Sequence, residues 1–342
     1  MSKKFSFSTE FNLKMPVVMA PMFLVSNMSM LKAAVDAGIM GTFPTLNFRK
    51  EGELDQVLSE LMNYKSQKSN GNIGVNLIVQ KSNILFEKHL AICVAHKVPF
   101  YITSLGSPAK VIEEAHKYGA KVFCDVTNLV HAQKCYDLGC DGFIAVGQGA
   151  GGHAGNNPLQ VLIPALHKAF PDVPVVAAGG IATGEGLLSA MALGACAASI
   201  GTRFIASTEA SVSNEYKNGI VNSEMDDIVL TEKISGTPCT IINTPYAKKI
   251  GYNQNWFEKM MSKNKRTKKY FKMFVQLKGM KILGKSTLAG SYETLWCAGK
   301  SVSLIHDVKP ITQIVEQISK EYSSALESIG HWTLDKKNNQ IT

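Results

Sequence analysis

Eight short apolar runs punctuate the first two hundred residues: 16–20, 39–43, 73–78, 99–104, 121–126, 142–147, 174–180 and 197–202, starting about 26 residues apart. Each is continuously apolar. A strand with one wet face would show a polar residue at every second position, so these runs predict parallel strands covered on both faces. Helix-patterned segments fill the gaps, at 28–37, 51–65, 84–96, 109–118, 129–137, 159–170 and 184–193. Gly38, Gly119, Gly139 and Gly194 close four of them, as expected of the residue that enters left-handed backbone most easily. Ser107-Pro108 and Asn157-Pro158 read as helix starts. Eight βα steps in this length predict an α/β protein, a (β/α)8 TIM barrel, with a doubly wound open sheet as the competing arrangement.

The rhythm stops near Ser207. Residues 210–300 show no βα alternation, whereas 309–326 has the pattern of an amphipathic helix able to close the barrel ring. We therefore expect residues 1–209 and 301–342 to form the barrel. A mostly helical insert, 210–300, would act as a lid forming part of the substrate site. The last dozen residues, with Lys336, Lys337, Asn338 and Asn339, read as a loose tail.

Composition narrows the class. Hydrophobic residues make up 45% of the 342 and charged residues 18%, which excludes a disordered chain. The net charge of +9 is local: ten Lys/Arg and no acid lie between Lys259 and Lys285, leaving 26 basic against 27 acidic residues elsewhere. Such a chain is near-neutral with one basic segment, and nucleic acid is not an expected partner. Seven Cys without a CxxC pair suggest reduced thiols and no metal site. The basic N-terminus lacks an apolar stretch behind it, and no run reaches 18 apolar residues. We expect a cytoplasmic protein without a membrane span.

Barrel enzymes place their chemistry at the C-terminal ends of the strands. Gly179-Gly180 and Gly201-Thr202 end the seventh and eighth runs. Glycines there let backbone N–H groups approach an anion, a helix N-terminus adds partial positive charge, and Thr202 adds a hydroxyl. The four predict a phosphate site. After the sixth run comes the Gly-rich loop 147–158, and His153 is its only histidine. A neutral imidazole among small neighbours suits a base working near neutral pH. The other seven histidines fall on helices or near the C-terminus.

Two motifs read as decoys. Gly147–Gly152 matches G-x-G-x-x-G, but five strands precede it and no helix opens there directly. Gly279–Ser286 matches the P-loop pattern, yet its interior is bulky and little α/β chain follows.

Taken together, the strand-end segments resemble the nitronate monooxygenase (2-nitropropane dioxygenase-like) family of FMN enzymes. The resemblance rests on MAPM at 19–22, GVNL at 74–77, AGGHAG at 150–155, VVAAGGIATGEG at 175–186, IGTRF at 200–204 and LWCAGKSVSLIHD at 295–307. Flavin-type enoyl-ACP reductases and NADH:quinone reductases share much of it. The resemblance implies FMN in the barrel mouth, with Ala20, Pro21 and Met22 lining the ring, Asn76 at its edge and Gly151 beside it. Gly179, Gly180, Gly201 and Thr202 would hold the phosphate, and His153 would be the catalytic base. It also implies a nitronate or nitroalkane as substrate with O2; the reductase alternative would bring NAD(P)H, and a quinone or an acyl-carrier protein. A non-catalytic module that holds an acidic partner on the basic segment is a third reading. Val146 and Lys300 depart from the family pattern, which often has polar residues such as Gln there.

Overall fold

The computed structural model describes residues 5–233, 238–253 and 295–330, with the backbone of 334–335 and 340–341. Eight parallel strands close a barrel in chain order: β1 (Val17–Met19), β2 (Met40–Pro44), β3 (Asn72–Ile78), β4 (Phe100–Ser104), β5 (Lys121–Val126), β6 (Gly142–Val146), β7 (Val175–Ala178) and β8 (Ala197–Ile200). The seam pairs Val18 of β1 with Ser199 of β8. Every one of the eight apolar runs carries one strand, and the open-sheet alternative is excluded by the closure.

Helices α2 (Met28–Asp36), α3 (Glu53–Ser66), α4 (Phe86–Ala95), α5 (Ala109–His116), α6 (Leu129–Tyr136), α7 (Leu159–Ala169) and α8 (Gly184–Ala192) follow β1 to β7 in turn. The eighth position of the ring is taken by the long C-terminal helix, Ile311–Gly330, which packs on α8 and α2. Asn27, Asn128 and Thr183 cap α2, α6 and α8 by accepting from the backbone N–H three residues on. Gly38, Gly119, Gly139 and Gly194 all have positive φ, as their positions after helices require.

The strands bury both faces. Val17, Met19, Val75, Leu77, Tyr101 and Val122 pack outward against the helices. Val18, Met40, Phe100, Phe123, Ile144, Val176 and Ala197 point into the barrel and pack together with Phe7 and Phe11. Those two phenylalanines come from a short helix, α1 (Phe7–Phe11), that plugs the N-terminal end of the barrel. The Phe11 and Phe100 rings meet at 5.0 Å, and Phe7 and Phe123 at 6.0 Å, both edge to face. With that end sealed, the opposite end is the one left to open.

Beyond β8 the chain forms a helical turn, α9 (Thr202–Ile205), then α10 (Asn214–Val221), an antiparallel ribbon of β9 (Ile228–Thr231) and β10 (Cys239–Ile242), and α11 (Pro245–Ile250). The described part of 210–300 thus adds a ribbon to the helices expected there. Buried Arg203 binds both the carboxylate and the carbonyl of Asp307, tying the end of β8 to the entry of the C-terminal helix. The basic segment 259–285, the P-loop-like Gly279–Ser286 and the Lys336–Asn339 tail lie outside the described residues. No described helix is long and apolar enough to cross a membrane.

Candidate active site

The C-terminal ends of the strands open into one cavity of about 1500 Å³. Ala20, Pro21 and Met22 enter it from β1, Asn76 from β3, Gly151 and His153 from the β6–α7 loop, Gly179 and Gly180 from β7, and Gly201 and Thr202 from β8. All ten residues singled out in the sequence are therefore brought to the same cavity, from strands far apart in the chain.

The walls on the β6–β8 side are made by backbone against backbone. Gly179 (φ +120°) and Gly180 (φ +76°) take conformations that side-chain-bearing residues rarely adopt, and a Cβ on Gly179 would stand 2.7 Å from the Ala150 nitrogen. A Cβ on Gly151 would stand 2.9 Å from the Gly299 nitrogen, so the β6 loop and the 295–300 segment meet without room for side chains. Thr202 Oγ1 accepts from the Gly299 N–H at 3.0 Å, which leaves its own hydroxyl hydrogen to donate. The start of α8 is occupied differently from the sequence argument: the Glu321 carboxylate accepts from the Gly184 N–H at 2.8 Å, and Thr183 from Gly186. The partial charge of that helix end is met by protein, and only the strand-end glycines and Thr202 face the cavity.

His153 is held by its loop. Gln148 N–H donates to the Asn157 carbonyl, and the Asn157 amide donates to Thr127 O at 2.9 Å, pinning the loop to the end of β5. From the other side β10 clamps it: Thr240 N–H donates to Gly152 O at 2.7 Å, Gly152 N–H returns a bond to Thr240 O, and the Thr240 hydroxyl donates to Ala150 O at 2.6 Å. The ring opens on the cavity, yet the surrounding walls desolvate it and hold its pKa below the ordinary 6.5. It is thus the neutral, proton-accepting imidazole at neutral pH. The G-x-G-x-x-G run lies within this loop, and the next helix starts only at Leu159, so it opens no dinucleotide-binding helix.

Sequence reasoning missed three polar residues here. Asp125, near the end of β5, accepts a hydrogen bond from Ser104 at the end of β4, and Ser104 in turn accepts from Asn76 at 2.7 Å. Burial raises the Asp125 pKa to about 6, against the lowering effect of the Ser104 bond. A signal existed: Asp125 is the only acid in an apolar run and stands two residues from inward-facing Phe123, hence on the barrel interior. Thr240, the third, reaches the site from a segment with no readable pattern.

The nitronate monooxygenase family profile matches residues 18–321. The chain belongs to the nitronate monooxygenase family. It is 28% identical over 270 residues to the nitronate monooxygenase of Paraburkholderia phytofirmans, covering 65% of this chain and 71% of that protein. It is 27% identical over 240 residues to a hydroxy-methyl-oxo-octahydroindene-carboxyl-CoA dehydrogenase of Rhodococcus jostii, covering 70% and 66%. Among solved structures, FabK of Thermotoga maritima superposes with a TM-score of 0.80 at 30% identity, covering 95% of this chain and 97% of that one. Several of the curated relatives are longer in scope than the match: the chain spans about half to two thirds of their length. Nitronate monooxygenases are oxidoreductases that use a flavin.

The cavity fits a flavin on its own geometry. The glycine ends of β7 and β8 line one side of the cavity without side chains, beside the Thr202 hydroxyl, and would suit an anion. An apolar face from Ala20, Pro21, Met22 and Val146 suits a flat ring, and the Asn76–Ser104–Asp125 row faces the cradle from the opposite arc of the barrel. Val146 adds to the apolar face.

Proposed function

We propose that the protein is an FMN-dependent nitronate monooxygenase that oxidises alkyl nitronates and nitroalkanes with O2. The observation that carries this reading is the convergence of a neutral histidine, a glycine–threonine anion cradle and an apolar ring-sized face on one cavity. Gly179, Gly180, Gly201 and Thr202 bind the FMN phosphate. Ala20, Pro21, Met22 and Gly151 line the ring, and Asn76 orients its edge. Flavin supplies the one-electron chemistry that lets a nitronate react with oxygen. His153 removes the α-proton of a neutral nitroalkane at its ring nitrogen, a step that a preformed nitronate does not need. The described residues of the segment after β8 form part of the substrate site, with β10 fixing the His153 loop. Reduced cysteines fit a cytoplasmic setting.

The likeness to FabK across 97% of that chain favours one second reading, an NAD(P)H-dependent flavin reductase. The cavity rim is apolar and wide, with Phe23, Leu46, Leu85 and Leu138, and would admit an acyl thioester, with an acyl-carrier protein as partner. Anaerobic mixing of the purified flavoprotein separates the two. Flavin reduction by a nitronate but not by NADH or NADPH supports the monooxygenase; rapid bleaching by a nicotinamide makes it a reductase.

A further inference from the structure

Opposite the glycine cradle of β7 and β8, three polar side chains stand in a row on β3, β4 and β5: Asn76, Ser104 and Asp125. All three line the cavity. The barrel interior below them is apolar, with Ile102, Phe123 and Ile144 beneath the row.

The hydrogen bonds in the row run one way. Asn76 Nδ2 donates to Ser104 Oγ at 2.7 Å and to the Ile102 carbonyl at 3.2 Å. Ser104 Oγ donates to Asp125 Oδ2. The donors of Asn76 and Ser104 are thus spent within the row. What the row presents to a ligand is acceptors: the Asn76 amide oxygen and the Asp125 carboxylate. Burial and the Ser104 bond are what act on that carboxyl, and no described cation is among its influences. A buried carboxylate without a cation costs free energy, and a structural role in an apolar interior would be served as well by Asn or Thr.

In the closed barrel β3, β4 and β5 lie across from β7 and β8, so a ligand anchored by a phosphate at the glycine ends and extending across the mouth points towards this row. In a flavin the far end is the pyrimidine part of the ring, which carries an N–H between two carbonyls. We propose that the Asp125 carboxylate, held by Ser104 in line with Asn76, accepts the hydrogen bond of that N–H and lowers the reduction potential of the bound flavin. The inference rests on the FMN reading above. Its physical basis is charge: reduction adds electron density to the ring, and a fixed anion in a low-dielectric cavity disfavours that gain. A lower potential makes the reduced flavin a stronger donor towards oxygen. Asp125 is on this account a tuning residue and moves no proton.

The test is a potentiometric titration of the purified flavoprotein against a redox dye. Asp125→Asn keeps the shape and removes the charge. It is expected to shift the equilibrium at least tenfold towards reduced flavin, ~30 mV upward for a two-electron couple. Ser104→Ala, which unties the carboxylate, is expected to raise the potential by less. A parent protein that binds no flavin would sink the FMN reading itself. Flavin-replete Asp125→Asn with the parent's potential, or a lower one, would overturn this inference and leave the FMN reading standing. Where Asp125→Asn does not hold flavin, Ser104→Ala decides, and an unchanged potential overturns the inference.

Discussion

At the residue scale, the site depends on which groups are charged at neutral pH. His153 sits where the cavity walls disfavour its cation, which holds its pKa below the ordinary value and suits it to the proposed role of base. The sign follows directly. Its base form persists above a pKa that lies below 6.5, so kcat/KM for a neutral nitroalkane should stay flat between about pH 6.5 and 8 and fall only on further acidification. A pH–rate profile with an ascending limb centred above 7 would contradict this. His153→Asn should lower turnover of neutral nitroalkanes by about 10²–10⁴-fold with flavin retained, and should spare preformed nitronates. Steady-state kinetics on both forms of one substrate separates those outcomes. His153 was legible because a lone histidine in a glycine-rich loop stands out. Asp125 was passed over although it is the only acid in the eight runs; that it faces the barrel interior and not the helices follows only from its register with Phe123.

At the element scale, the barrel strands were legible because burial on both faces writes each as a mostly apolar run, and helix-ending glycines punctuate the rest. The plug α1 was not legible: five residues are too few to show a period, and its role comes from contacts with Phe100 and Phe123, far along the chain. Phe11 is 4% exposed, and Phe11→Ala should destabilise the protein by ~3–5 kcal/mol, read as a lower urea midpoint at unchanged slope. The β9–β10 ribbon escaped as well, since its two strands of four residues carry mixed polar and apolar positions. Its functional contact is the Thr240 hydroxyl on Ala150 O. Thr240→Val keeps the volume but leaves that carbonyl without its hydroxyl donor, at ~1–3 kcal/mol. The His153 loop should loosen, so turnover should drop severalfold with the flavin content of the parent. Equal kcat in variant and parent would show that the ribbon does not position the loop.

At the scale of the whole molecule, the barrel collects residues from β1, β3, β6, β7 and β8 into one mouth, while the plug closes the other end. Among the described residues that arrangement leaves the C-terminal mouth open to a ligand, and the proposed anchor points, the glycine cradle and the Asn76 row, stand on facing arcs. The cradle suits one terminal phosphate; a dinucleotide needs a second, adenylate-binding unit, and the G-x-G-x-x-G run that would signal one is instead the His153 loop. FMN, and not FAD, should therefore be released from the purified protein by heat and identified by chromatography. The same geometry predicts a linkage effect. A ligand that bridges facing strands binds only the folded barrel, and at a hundredfold excess over its Kd it adds ~2.7 kcal/mol of stability. Thermal melts of flavin-stripped protein should shift upward by several degrees on adding FMN, less with riboflavin, which lacks the phosphate for the cradle. Gly201→Asp, which sets an anion where the phosphate would lie, should abolish the difference between FMN and riboflavin without unfolding the barrel, because a Cβ at Gly201 meets nothing closer than the Ala20 Cβ at 3.6 Å. Equal shifts from FMN and riboflavin in the parent protein would mean that the phosphate is not held at β7 and β8.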